Sequence, residues 1–188
     1  MTDHYAYGVK PPSLAELQAR SAIVEVLSRY VRGVDRLDMD LVRSCFHPGG
    51  RDVRPPLFEG SIDEYVAWVT PTLQGMEQTT HMLGNSLFSF QSVTEATTET
   101  YYLALLKSRC DGKLFMATRA GRYLDSLSFK NGVWALDVRR SVTDSSRIDA
   151  LDGTQDPSLL TNFMQNQKPD AAPLVGSRDH ADASYALL

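Results

Sequence analysis

Residues 95–144 read EATTETYYLALLKSRCDGKLFMATRAGRYLDSLSFKNGVWALDVRRSVTD, and two dipeptides within them decide the fold. Asp111-Gly112 and Asn131-Gly132 each lie between runs rich in β-branched and aromatic residues. Both pairs tolerate the positive φ that a tight hairpin turn demands, so they predict two hairpins. The strands expected from this stretch are 95–110, 113–129 and 133–144, with another at 79–91 before them, forming a sequential antiparallel meander. A short extra strand is expected around Arg51 to Phe58.

Upstream of Gly75 the pattern is helical. Ser13 followed by Glu16 is a capping box, and Leu14, Leu17, Val24, Leu27, Val31 and Val34 keep close to helical spacing, which predicts one long helix over 14–35. Asp35 lies eleven residues after Val24 and four after Val31. At about 100° per residue these separations place it about 20° and about 40° from them, on the buried stripe. Asp38 can cap a second helix, Met39 to Phe46, ended by His47-Pro48-Gly49-Gly50. Ser61 and Glu64 make another capping box, opening a third helix through Tyr65, Trp68 and Val69. Helices first and a meander second make the class α+β.

The 188 residues fit one domain, with an arm at 1–12, the folded unit at 13–145 and an extension at 146–188. Beyond Ser145 the chain turns polar, and residues 166–188 read as a tail without its own core. Its end, Tyr185 to Leu188, is apolar enough to dock across a pocket mouth or on a neighbouring subunit. Hydrophobic residues make up 43% and charged residues 22%, with a mean hydropathy of -0.25, which suits a packed core. Nineteen Lys and Arg against 23 Asp and Glu give a net charge of -4, so the basic footprint of a nucleic-acid binder is missing. No stretch has the length and apolarity of a membrane span or the pattern of a signal peptide, and a cytoplasmic location is expected. Cys45 and Cys110, 65 positions apart, read as buried reduced thiols.

No phosphate-binding glycine loop, metal-spaced His/Cys pair or nucleophile elbow occurs, so neither metal nor organic cofactor is expected. Of the four histidines, His4 and His180 fall in the chain ends and His47 in a helix-ending loop, which makes them surface residues. His81 starts a strand within Thr79-Thr80-His81-Met82-Leu83-Gly84-Asn85. A buried His beside a buried Asp makes a base, because the carboxylate fixes one tautomer and stabilises the imidazolium that forms. Asp35 is the natural partner, although pattern alone leaves open whether the two meet. Strand alternation puts Trp134, Leu136, Val138 and Arg140 on one face and Asp137 and Arg139 on the other, so one arginine alone can look into a cavity. Alternation does not say which. Tyr30, Tyr101, Tyr102 and Tyr123 fall on core elements, where phenols seek hydrogen-bond partners. Trp68 and Trp134 fit core packing by pattern.

The ordered set Tyr30, Asp35-Arg36-x-Asp38, Phe46-His47-Pro48, Phe58-x-Gly60, Thr80-His81-x-x-Gly84-Asn85, Gly121-Arg122-Tyr123-x-Asp125, Gly132-x-Trp134 and Arg139 resembles the SnoaL-like branch of the nuclear-transport-factor-2-like superfamily over about residues 13 to 145. The resemblance implies a cone-shaped α+β barrel whose curved sheet wraps a long helix and leaves an apolar pocket. Relatives of this kind include scytalone dehydratase, hexachlorocyclohexane dehydrochlorinase, bile-acid dehydratase, ketosteroid isomerase, polyketide cyclases and lyases of lignin-derived diaryl compounds. What it implies here is a cofactor-independent lyase acting on a small hydrophobic hydroxylated molecule, with loss of water, halide or formaldehyde. His81 and Asp35 match the dyad of the dehydratase and dehydrochlorinase members, and Arg139 matches the pocket arginine better than Arg140. Tyr30, Tyr101, Tyr123, Asn85 and Trp68 are the candidates to touch substrate. The same fold also serves as the non-catalytic small subunit of ring-hydroxylating dioxygenases and could serve as a ligand-binding module. A homo-oligomer, trimer or dimer, is expected through the open face of the sheet.

Overall fold

The computed structural model describes residues 9–151 and 176–186. Three helices, α1 (Leu14–Arg36), α2 (Met39–Ser44) and α3 (Ile62–Gln74), and six strands, β1 (Phe46–Arg54), β2 (Phe58–Ser61), β3 (Met76–Ser92), β4 (Glu95–Cys110), β5 (Lys113–Lys130) and β6 (Val133–Leu151), make an α+β unit. The strands form one curved, unclosed sheet in the order β2-β1-β6-β5-β4-β3, antiparallel throughout except where β1 runs parallel to β6.

Helix α1 starts as its capping box requires. The Glu16 N–H donates to Ser13 Oγ at 3.2 Å and the Ser13 N–H to the Glu16 carboxylate at 2.6 Å. It ends with Leu37 in the left-handed region at φ 56°, the Asp38 N–H reaching back to Gly33 O at 2.9 Å and the Leu37 N–H to Val34 O at 3.4 Å. This pattern satisfies carbonyls that a helix end otherwise strands. The buried line of α1 runs through Ile23, Leu27, Tyr30 and Val34, whereas Leu14, Leu17 and Val24 are exposed. The apolar stripe is therefore turned one position round from the one expected through Val24, and Asp35 stays on its buried side at 8% exposure. Tyr65 and Val66 of α3, Tyr102, Ala104 and Leu106 of β4, Tyr123 and Leu127 of β5 and Leu136 of β6 complete the core.

Four expectations are corrected. Helix α2 stops at Ser44, and Phe46 already opens β1, because the Cys45 carbonyl accepts the Leu136 N–H at 2.9 Å and fastens the chain to β6. His47, expected at the surface, is consequently buried, with Nε2 2.9 Å from the Ser128 carbonyl. Strand β6 continues beyond residue 145 to Leu151, pairing with β5 as far as Leu114. Its polar side chains there are mostly exposed, and a backbone ladder needs no apolar side chains. Finally, Cys110 is exposed at the end of β4, whereas Cys45 is buried and burial pushes its thiol up to about 11.

Strict alternation on β6 fails as well. Ser126 pairs with Val138 and Leu127 with Leu136, which leaves Asp137 as the extra residue of a bulge. The bulge reverses side-chain parity, so Leu136 and Arg139 are both buried although three positions apart, and Arg140 is exposed. A second shift lies between Ala120 and Gly121. A Cβ at Gly121 would collide with the Val142 carbonyl and lie 2.7 Å from the Tyr102 hydroxyl. Gly121→Ala should therefore lower stability by about 1–3 kcal/mol, the usual cost of forcing atoms into a packed interior. Urea denaturation should show the loss as a lower midpoint at an unchanged slope.

The candidate active site

The tight ending of α1 holds Asp35 against β3, and β3 brings Thr79 and His81 to meet it. Asp35 Oδ1 lies 2.6 Å from His81 Nδ1 and 2.9 Å from the Thr79 hydroxyl, while Oδ2 accepts the His81 backbone N–H at 2.8 Å. The sequence-expected pair is thus in contact. Burial alone would raise the Asp35 carboxyl, but the hydrogen bonds from the His81 ring and backbone and from Thr79 outweigh it and hold the group below the ordinary carboxylate range. An ionised carboxylate only accepts, so His81 Nδ1 carries a ring proton, and in the neutral ring the lone pair is the one on Nε2. Among the described residues Nε2 has no hydrogen-bond partner.

His81 lines a cavity of about 400 Å³ whose apolar wall includes Val34, Leu57, Trp68, Val69, Leu73, Met76 and Leu106. Tyr30, Tyr65, Tyr102, Tyr123, Arg54 and Arg119 supply its polar surface. Arg54 Nε and Nη2 reach the Asp52 carboxylate at 2.6 and 3.1 Å, and Nη2 also donates to the Tyr30 hydroxyl at 2.7 Å. Tyr30 in turn donates to the Tyr65 hydroxyl at 3.1 Å. Because Tyr65 accepts in this chain, its own hydrogen is available to a ligand. Burial raises the pKa of both phenols despite the nearby Arg54 charge, so they stay protonated as donors. His81 on β3 and Arg54 on β1 reach the cavity from opposite flanks of the sheet.

The candidates named from sequence divide clearly. Tyr30, Tyr123 and Trp68 line the cavity, Trp68 being 40% exposed. Tyr101 points away from it at 44% exposure and Asn85 is also exposed; on β4 it is Tyr102, one residue on, that faces inward. Arg139, and not Arg140, is directed into the fold, but it stops short of the cavity surface. Its side chain is wholly buried, clasps Asp125 through Nε at 2.9 Å and Nη2 at 2.7 Å, and lies between the rings of Tyr30 and Tyr123 at 4.1 and 4.2 Å. Asp125 and the two rings keep it protonated against the opposing effect of burial. Arg139 is thus the floor beneath two cavity tyrosines, and the arginines that reach the wall are Arg54 and Arg119. Sequence reasoning passed over Arg54 and Tyr65, although Asp52-x-Arg54 on one strand is a spacing that puts opposite charges on one face. No group of three or more His, Cys, Asp or Glu suited to a metal ion occurs among the described residues.

The sequence model of the SnoaL-like domain family matches residues 15–140. No curated protein matches. Among solved structures, a type 2 hexachlorocyclohexane dehydrochlorinase, LinA, superposes with a TM-score of 0.64 at 19% identity, covering 74% of this chain and 93% of that one. A protein from Novosphingobium aromaticivorans named for scytalone dehydratase gives 0.60 at 23% identity, covering 71% and 89%. Another from the same organism, named as an aromatic ring hydroxylase, gives 0.64 at 18% identity, covering 76% and 96%. At these identities the likeness is one of fold.

Two outcomes are expected from the buried charges. Arg139→Met strands the Asp125 carboxylate and should cost about 3–5 kcal/mol, whereas Arg139→Met combined with Asp125→Asn should cost much less, a difference that a double-mutant cycle in denaturant reads directly. The depressed Asp35 carboxyl contributes stability in full above its ordinary value of 3.8, and that contribution disappears as pH falls through the lower folded value. Between about pH 6 and about pH 2, wild-type protein should lose more stability than Asp35→Asn in parallel denaturant titrations.

Proposed function

Because the chain belongs to the SnoaL-like domain family, we propose that it is a lyase that needs no cofactor and eliminates water, halide or formaldehyde from a small hydrophobic, hydroxylated molecule. The observation that carries this reading is the 2.6 Å contact between His81 Nδ1 and Asp35 at the wall of an apolar cavity. Nε2 of His81 takes a proton from a carbon or a hydroxyl of the substrate. The electron pair left behind forms the new double bond as the leaving group departs from the neighbouring atom with its own pair. Asp35 stabilises the imidazolium that results. Negative charge developing on a substrate oxygen is met by the Tyr65 hydroxyl, backed through Tyr30 by the Arg54 guanidinium. The role first given to Arg139 passes in this reading to Arg54 and Tyr65, with Arg139 fixing the tyrosines from below.

A lignin-derived diaryl compound, a steroid or a polyketide would suit the apolar walls. On a hydroxylated diarylpropane a para-phenol expels the benzylic hydroxyl as water to give a quinone methide; deprotonation of the terminal alcohol then forms the carbonyl of formaldehyde, and the pair of the broken C–C bond passes into the quinone methide, leaving an alkene and the phenolate. Exposed Met82, Leu87, Tyr101 and Leu103 on the outer side of β3 and β4 are where self-association would bury apolar area.

A mass-spectrometric screen of hydroxylated aromatic, steroid and polyketide-like compounds for loss of water or formaldehyde, or of chlorinated ones for loss of halide, tests the proposal. With any substrate so found, His81→Ala and Asp35→Asn should each reduce turnover at least about 100-fold at unchanged circular dichroism, since general acid–base assistance is worth roughly 10²–10⁴-fold. Near-wild-type rates in either folded variant would remove the dyad from the mechanism.

A further inference from the structure

The described residues beyond β6, 176–186, dock by polar contacts at the C-terminal end of α1; Leu187 and Leu188, on which docking was also expected, lie outside the described residues. None of 176–186 lines the apolar cavity. The Tyr185 hydroxyl donates to Asp38 Oδ2 at 2.9 Å, Asp182 sits 3.3 Å from Arg36, and the Ser177 N–H donates to Asp182 at 2.9 Å. These contacts deliver Arg178 to one place. Its Nε donates to the Asp35 carbonyl at 3.2 Å, Nη1 to the carbonyls of Leu73 at 2.5 Å and Met76 at 2.8 Å, and Nη2 to that of Val34 at 3.4 Å.

We infer that Arg178 is a positioning residue of the active site, joining from the far end of the chain the elements that carry the two members of the dyad. The inference rests on the proposed role of His81 and Asp35. One guanidinium ties the last turn of α1, which bears Asp35, to the end of α3 and to the start of β3, the strand that bears His81. A helix C-terminus presents unpaired carbonyls and the negative end of the helix dipole, both unfavourable beside an ionised Asp35. A fork of fixed N–H donors with a positive charge answers both, and a lysine would answer the charge with fewer fixed directions. The cleft on this side is lined by Ser177 and Arg178 together with Asp35 and His81, so His81 forms a wall shared by that cleft and the apolar cavity.

The test is proton NMR of the full chain without substrate, observing the low-field His81 Nδ1–H, identified by its loss in His81→Ala. In Arg178→Gln this proton should exchange with water about tenfold faster or more, the change expected when hydrogen bonds to a charged group are lost. Arg178→Lys should fall between that variant and wild type. Circular dichroism confirms that each variant is folded, and Arg178→Lys decides the matter should Arg178→Gln not fold. Wild-type position and exchange rate in folded Arg178→Gln, or failing that in Arg178→Lys, would overturn the positioning role while leaving the dyad standing. Absence of the low-field proton from wild type itself would overturn the dyad and the inference with it.

Discussion

A carboxylate in the last turn of a helix sits at the wrong end of the dipole, and Asp35 is also almost out of reach of water. Such a charge persists in a fold only where donors surround it. Among the described residues every donor to the carboxylate comes from β3: the Thr79 hydroxyl, the His81 N–H and the His81 ring. The end of α1 and the edge strand β3 therefore cannot be placed independently. The sheet has to curve far enough round α1 for its terminal strand to deliver those groups, and the cavity is the space that this curvature leaves between α1, α3 and the inner side of the strands.

Arg139 and Arg54 divide two tasks that one residue would perform poorly. A guanidinium clasped by a carboxylate and covered on both faces by tyrosine rings is fixed but cannot meet a ligand. Arg54 lies at the cavity wall with 21% of its side chain exposed, anchored by Asp52, and its charge reaches the interior through Tyr30 and Tyr65. Tyr30 belongs to both arrangements, its ring against Arg139 and its hydroxyl on Arg54. Movement of the buried pair would thus be felt at the polar wall.

The parts of this design visible in the sequence are those set by local rules. Capping boxes at Ser13 and Ser61 start α1 and α3 where expected, the two Gly-containing turns define the meander, and the angle of Asp35 from Val31 gives its burial. What escaped notice depended on partners distant in sequence. The strand character of 46–50 comes from pairing with β6, which no pattern within Phe46-His47-Pro48-Gly49-Gly50 announces. The bulge at Asp137 comes from the register of β5 against β6, so the family resemblance, and not alternation along β6, points to the inward side of Arg139. Tyr101 and Tyr102 show the same limit at its smallest scale: adjacent tyrosines on one strand must face opposite ways, and alternation alone does not choose between them. The polar extension gave no local sign that Arg178 would find four carbonyls.

The surroundings of Asp35 also bear on the role proposed for His81 as a base. A neutral imidazole in an apolar space gains a positive charge when it takes a proton, and in the absence of a partner the low-dielectric walls would oppose that gain. Asp35 is already ionised and already bonded to Nδ1, so the ion pair forms with no group having to reorient. The price of placing that carboxylate was met during folding, by Thr79 and the His81 backbone at its oxygens and by Arg178 at the helix end behind it. In the proposed reaction the apolar walls limit competition from water for Nε2, leaving a substrate hydrogen as its partner. Specificity in that reaction falls to shape and to the polar groups on the wall, Tyr65, Arg54 and Arg119 among them, an arrangement suited to a molecule that is apolar over most of its surface and carries oxygen.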